Sequence, residues 1–411
     1  MNRYEVVVIG AGAAGLVAAS EAASRGRKTL LLEKNRRPGV KILISGGTRC
    51  NLTHATDKWG IVKAYGDQGN FLHSSLAALS PSDLVKMIED EGVPTKVEET
   101  GKIFPVSNRA TDILDALMKR FTRTNAELSL EELAQRIERL ADANMFRITT
   151  NRRELTTERI IITVGGQSYP GSGTTGDGYA WAAAFGHTIV PPRPALVPLV
   201  TEEPWVRALS GVTIPDVELK LRVSSNPKPL DSRRGSVLFT HFGLSGPAVL
   251  DISRAFTALE TPAAQLTCDF VPTLSAENIE ERIRRAANAD GKQHLVNLVA
   301  EFLPRRLAES LLDRASLTHQ ARLGEFSKAN RALLIGAIKS TVIRITGTRG
   351  FAKAEVTAGG IALDEVDSRT MQSKLSPGLY FAGEVLDLDG PIGGYNFQAA
   401  FSTGVLAGRS I

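Results

Sequence analysis

Two short apolar runs near the start of the chain flank a helical pattern. Tyr4 to Ile9 and Thr29 to Leu32 each have the length and apolar character of a buried strand. Leu16 to Arg25 lies between them and has the pattern of a helix that follows a glycine turn. This order predicts a parallel βαβ unit at the beginning of the chain.

Strand and helix patterns continue to alternate up to about residue 190. Ser80 to Glu91 is typical of a helix, with Ser80 as its cap and Pro81 in its first turn. Apolar residues repeat with a helical period from Ala110 to Thr122, and Arg159 to Val164 is a buried strand pattern. The first part of the chain is therefore predicted to be α/β in class.

The pattern then changes twice before the strand-and-glycine pattern returns after Phe351. Four prolines between positions 191 and 198 mark the first change, and Val217 to Val223 alternates between apolar and polar residues, which is typical of a small β-domain. Residues 275–334 have helical patterns. The predicted segments are 1–190, 191–274 completed by 335–350, 275–334, and 351–411.

Composition bounds the class of protein. A chain of 411 residues is too long for one compact core, and no apolar stretch approaches the roughly 20 residues of a membrane helix. The first strand begins within a few residues of Met1, which leaves no room for a signal peptide. Cys50 and Cys268 are the only cysteines, and the six histidines have no HxxxH or HExxH spacing. We therefore expect a cytoplasmic, reduced protein with no metal and no membrane contact.

The positive charge is concentrated in one part of the chain. The whole chain carries a net charge of +5, whereas Val271 to Lys353 alone has 14 Lys and Arg against 8 Asp and Glu, a net charge of +6. These residues either form solvated helix faces or provide a surface for phosphate groups, in RNA or in a charged metabolite.

The turn after the first strand carries the first candidate chemistry. Gly10 allows a tight turn, Gly12 lets the backbone approach a pyrophosphate, and Gly15 lets the helix pack closely on the sheet. Glu33 ends the second strand, where it can accept hydrogen bonds from ribose hydroxyls and repel a 2′-phosphate. The fingerprint predicts a site for FAD or NAD rather than NADP. Its residues are Gly10, Gly12, Ala13, Ala14, Gly15, Glu33 and Lys34.

A glycine pair follows in the segment from Lys41 to Thr53. Such a loop can present backbone N–H groups and a guanidinium to a pyrophosphate or a flavin ring. The alternative is an ordinary capped turn. The candidate cofactor residues of this segment are Lys41, Ser45, Gly46, Arg49, Cys50 and Asn51.

The end of the chain repeats the arrangement of a strand, an acid, a glycine-rich loop and a helix. The N-terminus of that helix carries partial positive charge and can face a ligand. In flavoproteins with two dinucleotide folds, the corresponding acid binds the ribityl chain and the helix faces the flavin ring. This segment favours FAD, bound non-covalently. The residues assigned to it are Gly383, Glu384, Asp387, Gly394, Tyr395, Asn396, Phe397 and Gln398, with Gly165 and Gly166 after the middle strand.

Together with the strings Thr240 to Pro247 and Ala354 to Gly360, these motifs resemble the BaiN/RdsA family of FAD-dependent flavoproteins over nearly the whole chain. The resemblance implies a discontinuous Rossmann-like FAD-binding domain, residues 1–190 and 351–411, of the two-dinucleotide-binding-fold type. It also implies an inserted β-barrel domain and a helical subdomain. Family members usually have Gly-Arg-Lys where this chain has Gly39-Val40-Lys41, so any role of that arginine is lost here.

A second glycine motif, Gly171 to Gly176, follows the middle strand. It could be an NADPH site, but Pro170 interrupts the junction and no second βαβ unit closes after it. The family resemblance favours a loop beside FAD, continued by Asp177 and Gly178. NADPH or NADH is expected only as the electron donor.

The resemblance also implies an activity. Family members include a flavoenzyme that reduces a uridine of large-subunit ribosomal RNA, aminoacetone oxidases, and reductases of conjugated steroid enones. The leading hypothesis is an oxidoreductase that reduces uridine of 23S ribosomal RNA to dihydrouridine, with the basic helical segment binding the RNA. The alternatives are an oxidase or reductase of a small metabolite, and a non-catalytic RNA-binding flavoprotein.

Reducing a uracil ring requires a proton donor as well as hydride. Cys50 is one candidate because it follows the predicted flavin loop, although it could instead be a small buried packing residue. His241 is the other candidate, in a loop of the inserted domain, although it could be a structural histidine. Cys268 lies in an alternating strand pattern and is predicted to be core.

Overall fold

The structure is a computed structural model that describes residues 2–140, 145–223, 228–259 and 264–411. The chain folds as two compact units. The first consists of Met1–Pro194 and Glu355–Ile411, and the second of Ala195–Ala354.

The described residues form strands and helices that are numbered here along the chain. The strands are β1 (Asn2–Ile9), β2 (Thr29–Leu32), β3 (Thr53–His54), β4 (Thr95–Val97), β5 (Lys102–Pro105), β6 (Glu127–Ser129), β7 (Ala134–Arg139), β8 (Phe146–Thr150), β9 (Glu154–Ile162), β10 (Ile189–Ala195), β11 (Leu199–Val200), β12 (Thr213–Val223), β13 (Asp231–Thr240), β14 (Gly243–Ser245), β15 (Ala264–Asp269), β16 (Thr341–Ile345), β17 (Gly347–Thr348), β18 (Val356–Ile361) and β19 (Leu379–Phe381). The helices are α1 (Ala13–Ser24), α2 (Val40–Thr48), α3 (Lys58–Ala64), α4 (His73–Ala78), α5 (Pro81–Glu89), α6 (Ala110–Thr122), α7 (Asp177–Ala184), α8 (Pro204–Ala208), α9 (Pro247–Thr257), α10 (Ala276–Ala289), α11 (Leu295–Val299), α12 (Arg305–Arg314), α13 (Lys328–Lys339) and α14 (Tyr395–Arg409).

The main sheet of the first unit is parallel at its centre. Its strands follow the order β6-β2-β1-β9, all in parallel, and β19 adds in parallel to the C-terminal half of β9. The N-terminal half of β9 pairs antiparallel with β8, which pairs with β7. Val6, Val7 and Val8 of β1 are fully buried, as expected for a central parallel strand covered on both faces. This is the predicted Rossmann-type arrangement, in which ligands bind at the C-terminal edge of the strands.

Helices α1 and α14 pack closely beside this sheet. A Cβ atom at Gly404 would overlap the carbonyl oxygen of Ala14, and a Cβ atom at Gly408 would overlap that of Ala18. The two backbones therefore approach more closely than larger residues allow. This contact joins the two ends of the chain within the first unit.

The second unit is built on an antiparallel sheet with the order β16-β15-β12-β13-β14-β11-β17. Its two end strands are separated only by Thr346, whose N–H donates to Val200 O of β11 at 2.9 Å. The strand order therefore closes on itself as a barrel. Helices α8 to α13 share one hydrophobic core with this barrel, in which Leu219, Phe239 and Leu311 are buried together.

Some boundaries differ from those that the sequence indicates. The units divide after Pro194 and after Ala354, about four residues later than predicted at each junction, because β10 carries the prolines and pairs with β18. The barrel and the helices form one compact unit.

Asp177 and Gly178 begin α7 instead of extending a loop, which corrects the sequence-based expectation. Within the described ranges, no helix has both the length and the apolar character needed to span a membrane.

Candidate active site

The turn between β1 and α1 has the geometry of a phosphate-binding site. Gly10 has a φ of +101°, and a Cβ atom there would lie 2.8 Å from Thr163 O. A Cβ atom at Gly15 would overlap Gly10 O, so a glycine is required for the close packing. Gly12 caps α1 without a side-chain hydrogen bond, and nothing lies within 4 Å of its Cβ position. The first N–H groups of α1, including those of Ala13 and Ala14, have no acceptor within the helix, and such a helix start is suited to an anion.

Glu33 lies directly beside this turn. Its buried carboxylate accepts hydrogen bonds from Ala11 N–H and from Asn35 N–H, both at 2.8 Å. Two carboxylate oxygens offer about four acceptor sites, so Glu33 can also accept ribose hydroxyls. Its neighbour Lys34 is held by Asp177 at 2.5 Å and by Thr175 at 2.6 Å. Lys34 thus joins the end of β2 to the start of α7 through its side chain.

An ion pair joins two predicted cofactor residues from opposite ends of the chain. Lys41 Nζ lies 2.6 Å from Glu384 Oε2, and both side chains are largely buried. The other oxygen of Glu384 accepts from Thr357 N–H at 3.0 Å. The backbone of Gly166 approaches so closely that a Cβ atom there would lie 3.0 Å from Glu384 Oε1. Lys41, Gly166 and Glu384 therefore meet at one place, after the ends of β9 and β19.

The segment after Lys41 is helical and then breaks sharply, which corrects its prediction as a loop throughout. Ser45 is extended, whereas Gly46, Gly47 and Thr48 have positive φ angles. Ser45 Oγ donates to Ile42 O at 2.8 Å. A Cβ atom at Gly46 would lie 3.0 Å from Asn51 N, so this glycine allows the chain to turn back on itself.

Arg49 is held by groups of the protein. Its guanidinium donates to Glu98 at 2.7 Å and lies 4.1 Å from the centre of the Phe104 ring. The charge expected to face a pyrophosphate or a flavin is therefore already neutralised by an acidic partner. This contact favours a structural role for Arg49 over the predicted contact with the cofactor.

Cys50 is fully buried and has a positive φ of 60°. Burial raises the pKa of the Cys50 thiol to about 12, against a smaller lowering effect of the hydrogen bond with Ser45. A buried thiol with such a pKa is a poor proton donor near neutral pH. The structure therefore favours the packing alternative at this position.

The N-terminus of α14 is fixed against the strand β3. The Asn51 amide oxygen accepts from Gly394 N–H at 3.0 Å, and its nitrogen donates to Thr53 O at 3.1 Å. Gly394 has a φ of +94°, and a Cβ atom there would lie 2.5 Å from Thr53 O. Asn51 and Gly394 therefore hold the helix in place, which leaves its first N–H groups directed beyond the end of the helix.

The side chains of the first turn of α14 have different roles. Tyr395 stacks on His54 at 4.7 Å between ring centres, and Phe397 lies 6.1 Å from Phe401. Asn396 closes the loop before the helix, since its amide oxygen accepts from Gly390 N–H at 2.8 Å and its amide nitrogen donates to Gly390 O at 3.0 Å.

Gln398 was predicted to bind the cofactor, but its side chain is fully buried. Its amide oxygen accepts from Thr53 Oγ1 at 2.6 Å. Its amide nitrogen donates to Leu79 O at 3.0 Å and to Ser402 Oγ at 2.9 Å. Because these three contacts occupy the amide, the assignment of the Gln398 side chain is corrected to a structural role.

Asp387 lies between β19 and α14, a few residues after Glu384, and its side chain is partly buried. It accepts from Gly359 N–H at 3.1 Å and from Gln68 Nε2 at 3.3 Å. Burial raises the pKa of the Asp387 carboxyl, and the nearby Asp389 adds to this effect. Asp387 is therefore a partly desolvated acid beside Glu384.

The second glycine motif lies against the end of β2. Gly165 has a φ of +74°, and a Cβ atom at Gly173 would lie 2.6 Å from Asn35 Nδ2. The Asn35 amide donates to Ser172 O at 3.1 Å. These contacts place the loop beside Glu33, and they favour the interpretation as a loop of the first dinucleotide site over a separate NADPH site.

His241 belongs to the second unit, in the turn between β13 and β14. Its side chain is exposed, and its ring meets Phe242 edge-on at 5.1 Å. All other predicted site residues belong to the first unit. The proposed role of His241 as proton donor stays a prediction.

Sequence reasoning missed three residues that hold the site together: His54, Gln68 and Thr357. His54 Nδ1 donates to Gly393 O at 3.1 Å, Gln68 donates to Asp387 O at 2.7 Å, and Thr357 Oγ1 accepts from Gln167 N–H at 2.8 Å. His54 directly follows the segment that ends at Thr53, and Thr357 lies within the string Ala354 to Gly360, which were the available signals.

The residues present fit a flavin dinucleotide. The open space over Gly12, the anion-binding start of α1 and the acid Glu33 suit the pyrophosphate and a ribose. Glu384 and the start of α14 lie at the same edge of the sheet, where a second set of polar groups of the ligand would be bound. The site thus offers N–H donors for a pyrophosphate and carboxylate acceptors for hydroxyl groups, and a flavin dinucleotide contains both.

The chain matches known proteins over its full length. Residues 4–410 match the family described as HI0933-like protein Rossmann domain. The chain is 34% identical over 407 residues to a ribosomal RNA dihydrouridine synthase of Escherichia coli, covering 98% of this chain and 96% of that protein. It is 33% identical over 420 residues to a 3-dehydro-bile acid delta(4,6)-reductase of Clostridium scindens, covering 100% and 99%.

A second ribosomal RNA dihydrouridine synthase, from Haemophilus influenzae, is 32% identical over 418 residues, covering 100% of this chain and 99% of that protein. Among solved structures, the open conformation of a flavocytochrome c3 fumarate reductase is similar with a TM-score of 0.50 at 15% identity, covering 100% of this chain and 78% of that one. That likeness supports the fold alone. Because the family match extends over nearly every residue, this chain belongs to the HI0933-like Rossmann family, the BaiN/RdsA family that its motifs predict.

Proposed function

We propose that this protein reduces a uridine of 23S ribosomal RNA to dihydrouridine. The observation that carries the proposal is the full-length similarity to two ribosomal RNA dihydrouridine synthases at 34% and 32% identity. The chain is a FAD-dependent oxidoreductase in class, and the substrate is the proposed part. We also propose NADPH or NADH as the electron donor and the cytoplasm as the location.

The first unit supplies the cofactor site in this proposal. The start of α1 binds the pyrophosphate, Glu33 accepts ribose hydroxyls, and the Lys41–Glu384 pair orients polar groups near the start of α14. When bound and reduced by the proposed NADPH or NADH, the flavin would supply hydride to the C=C bond of the uracil ring. The positive end of α14 favours negative charge beside it, and Asn51 and Gly394 keep that helix end in place.

The chain must also deliver a proton to the ring. We propose His241 for this step in preference to Cys50, because the His241 side chain is exposed whereas the Cys50 thiol is fully buried. The thiol of Cys50 is buried and retains its proton.

The basic segment of the second unit is the proposed RNA surface, but its arginines are not equivalent. Arg306 donates to the carbonyl oxygens of Ala208 and Ser210 at 2.6 and 3.3 Å, so it has a structural role. Arg305 is paired with Glu309 at 3.0 Å. Arg282 and Arg284 are exposed on α10 and are the better candidates for phosphate contacts.

A second candidate function is the reduction of a small conjugated enone. It is favoured by the full-length similarity to the bile acid reductase, at 33% identity. That relative is named for a bile acid, whereas the other two are named for ribosomal RNA. The similarity therefore supports either a small molecule or RNA as the substrate of this chain.

The decisive experiment is to map dihydrouridine in ribosomal RNA by mass spectrometry, in cells with and without the gene. We expect one dihydrouridine to disappear in the deletion strain, to return fully with the wild-type gene and to return less completely with Glu33→Ala. An unchanged RNA, together with turnover of an enone by the purified protein, would establish the metabolite function instead.

The cofactor has its own test. The purified protein is expected to be yellow, and acid precipitation should release all of its FAD into the supernatant, because no covalent attachment motif is present. A colourless protein that FAD cannot reconstitute would contradict the proposal.

A further inference from the structure

Tyr169 combines a strained backbone conformation with an exposed aromatic side chain, and the site described so far uses neither. Its φ and ψ angles are 57° and 61°, in the left-handed region. A bulky residue adopts this region only under strain, and such strain is typical of functional sites. The residue is 40% exposed, so its ring is accessible to a ligand.

The chain before Tyr169 is attached to the Glu384 end of the candidate site. Ser168 is fully buried, its N–H donates to Thr357 Oγ1 at 3.0 Å, and the hydroxyl oxygens of the two residues lie 2.9 Å apart. The Thr357 N–H in turn donates to Glu384 Oε1 at 3.0 Å. Tyr169 therefore directly follows a residue that one intervening threonine links to Glu384.

The chain after Tyr169 is attached to the Glu33 end of the site. Tyr169 O accepts from the N–H and from the hydroxyl of Ser172, both at 2.8 Å, which closes a tight turn. Ser172 O accepts from the Asn35 side-chain amide at 3.1 Å, and Asn35 N–H donates to Glu33 at 2.8 Å. The turn that begins at Tyr169 thus lies between the two acids assigned to the cofactor.

These hydrogen bonds keep the backbone of Tyr169 in its conformation, but they do not require a tyrosine. Glycine would adopt the same angles without strain. A single exposed apolar side chain is common on protein surfaces, whereas one that is held under strain between two acids of the site indicates that the ring itself is needed. Aromatic rings stack on flat heterocycles, and FAD contains two of these, the isoalloxazine and the adenine.

We propose that Tyr169 is a further cofactor-binding residue, whose ring stacks on one of the two planar ring systems of FAD. The inference rests on the proposed FAD dependence of the protein. It adds to the site an aromatic contact, supplied by the turn that joins its Glu384 end to its Glu33 end.

The test compares Tyr169→Ala, which removes the ring, with Tyr169→Phe, which keeps it. The control is Leu375→Ala, which removes an apolar side chain of similar exposure, 49%, from another part of the first unit. Apoprotein of each variant is titrated with FAD and, separately, with ADP, which contains the adenine but no flavin. We expect Tyr169→Ala to raise the Kd for FAD by about fivefold or more, whereas Tyr169→Phe and Leu375→Ala retain the wild-type value.

A second measurement separates a ligand contact from a structural role. Tyr169→Gly removes the strain together with the ring, so it should leave the melting temperature of the apoprotein unchanged or raise it, and it should still weaken FAD binding. Ser316→Gly, at an exposed residue of the second unit with the same φ of 57°, should leave FAD binding unchanged. A lower melting temperature of Tyr169→Gly would assign the ring a structural role and contradict the inference.

The ADP titration identifies the ring system. A matching rise in the Kd of Tyr169→Ala for ADP would assign the contact to the adenine, and an unchanged Kd for ADP would assign it to the isoalloxazine. A wild-type Kd for FAD in Tyr169→Ala, or an equal loss in Tyr169→Phe, would overturn this inference alone. Failure of the wild-type protein to bind FAD would overturn it together with the proposed cofactor.

Discussion

At the scale of single residues, the candidate site depends on how each polar side chain is satisfied. Glu33, Asn51 and Gln398 were all predicted to bind the cofactor, but they have different surroundings. Glu33 retains acceptor sites beside the phosphate turn, Asn51 joins two backbone segments, and the amide of Gln398 is occupied within the core. The number of protein partners therefore separates residues that can bind a ligand from those that hold the site.

Replacing Glu33 tests the ribose site. Glu33→Ala should weaken FAD binding by about 1–3 kcal/mol, or roughly fivefold to 150-fold in Kd, because a charged acceptor is lost. Glu33→Gln should have a smaller effect, since one acceptor oxygen remains. Titration of apoprotein with FAD measures both, and Glu131→Ala, at an exposed acid in the same region, is the control. Equal affinities in all four proteins would exclude Glu33 as a ribose ligand.

The two candidate proton donors differ in burial, and their variants should differ in rate. His241→Ala should slow substrate-dependent reoxidation of the flavin by about 10²–10⁴-fold, without changing FAD binding. Cys50→Ala should leave the rate close to normal, because the thiol is buried. Anaerobic single-turnover measurements at the flavin absorbance follow the reaction. A slow Cys50→Ala variant with a normal His241→Ala variant would reverse the assignment.

His187 gives a prediction on pH. Its ring is buried between Glu365 at 3.1 Å and Ser373 at 2.7 Å. Burial lowers the pKa of His187, outweighing the opposite effect of Glu365. Below the pKa of about 6.5 of an unfolded histidine, the unfolded chain binds a proton that the folded chain does not. Stability is therefore full above that pH and falls as the pH drops towards the lowered pKa.

Thermal unfolding between pH 7.5 and pH 5 should show this loss. The melting temperature of His187→Gln should depend less steeply on pH than that of the wild type. Replacing the exposed His294 by Gln should leave the wild-type slope. Identical slopes for His187→Gln and the wild type would contradict the assignment.

At the scale of elements, glycines with different surroundings should respond oppositely to the same change. Gly404 lies in α14, where a Cβ atom would overlap Ala14 O of α1, whereas nothing lies within 4 Å of the Cβ position of Gly336 in α13. Gly404→Ala should therefore lower stability by about 1–3 kcal/mol. Gly336→Ala should raise it by about 0.5–1 kcal/mol, because alanine restricts the unfolded chain. Chemical denaturation measures both, and a stabilising Gly404→Ala would disprove the close contact of α1 and α14.

At the scale of the whole molecule, the basic segment should make RNA binding depend on salt. Contacts with phosphate release counterions, so affinity should fall as the salt concentration rises. Arg282→Glu with Arg284→Glu should weaken binding and flatten this dependence, while the flavin spectrum stays unchanged. The control is Lys86→Glu with Arg136→Glu, which changes the net charge equally at exposed positions of the first unit. An equal loss of RNA affinity in the control would show that only the net charge matters, and it would contradict a specific RNA surface on α10.

The sequence by itself determined the β1–α1–β2 unit. Gly10, Gly12, Gly15 and Glu33 are close along the chain, and a tight turn has few solutions, so local pattern was sufficient. The same holds for the cap of α5, where Ser80 accepts from Asp83 N–H as predicted from its position before Pro81. The family followed from motifs whose order along the chain is their signature.

Only the tertiary structure decided which distant side chains meet and which are already satisfied. The Lys41–Glu384 pair joins residues 343 positions apart, and nothing in either local pattern specifies this partner. Arginine is a common ligand for phosphate, but the guanidinium of Arg49 is hydrogen-bonded to Glu98 and that of Arg306 to backbone carbonyl oxygens. Burial likewise makes Cys50 the weaker candidate for the proton donor. The pKa of a thiol depends on the groups packed around it and not on its neighbours in sequence.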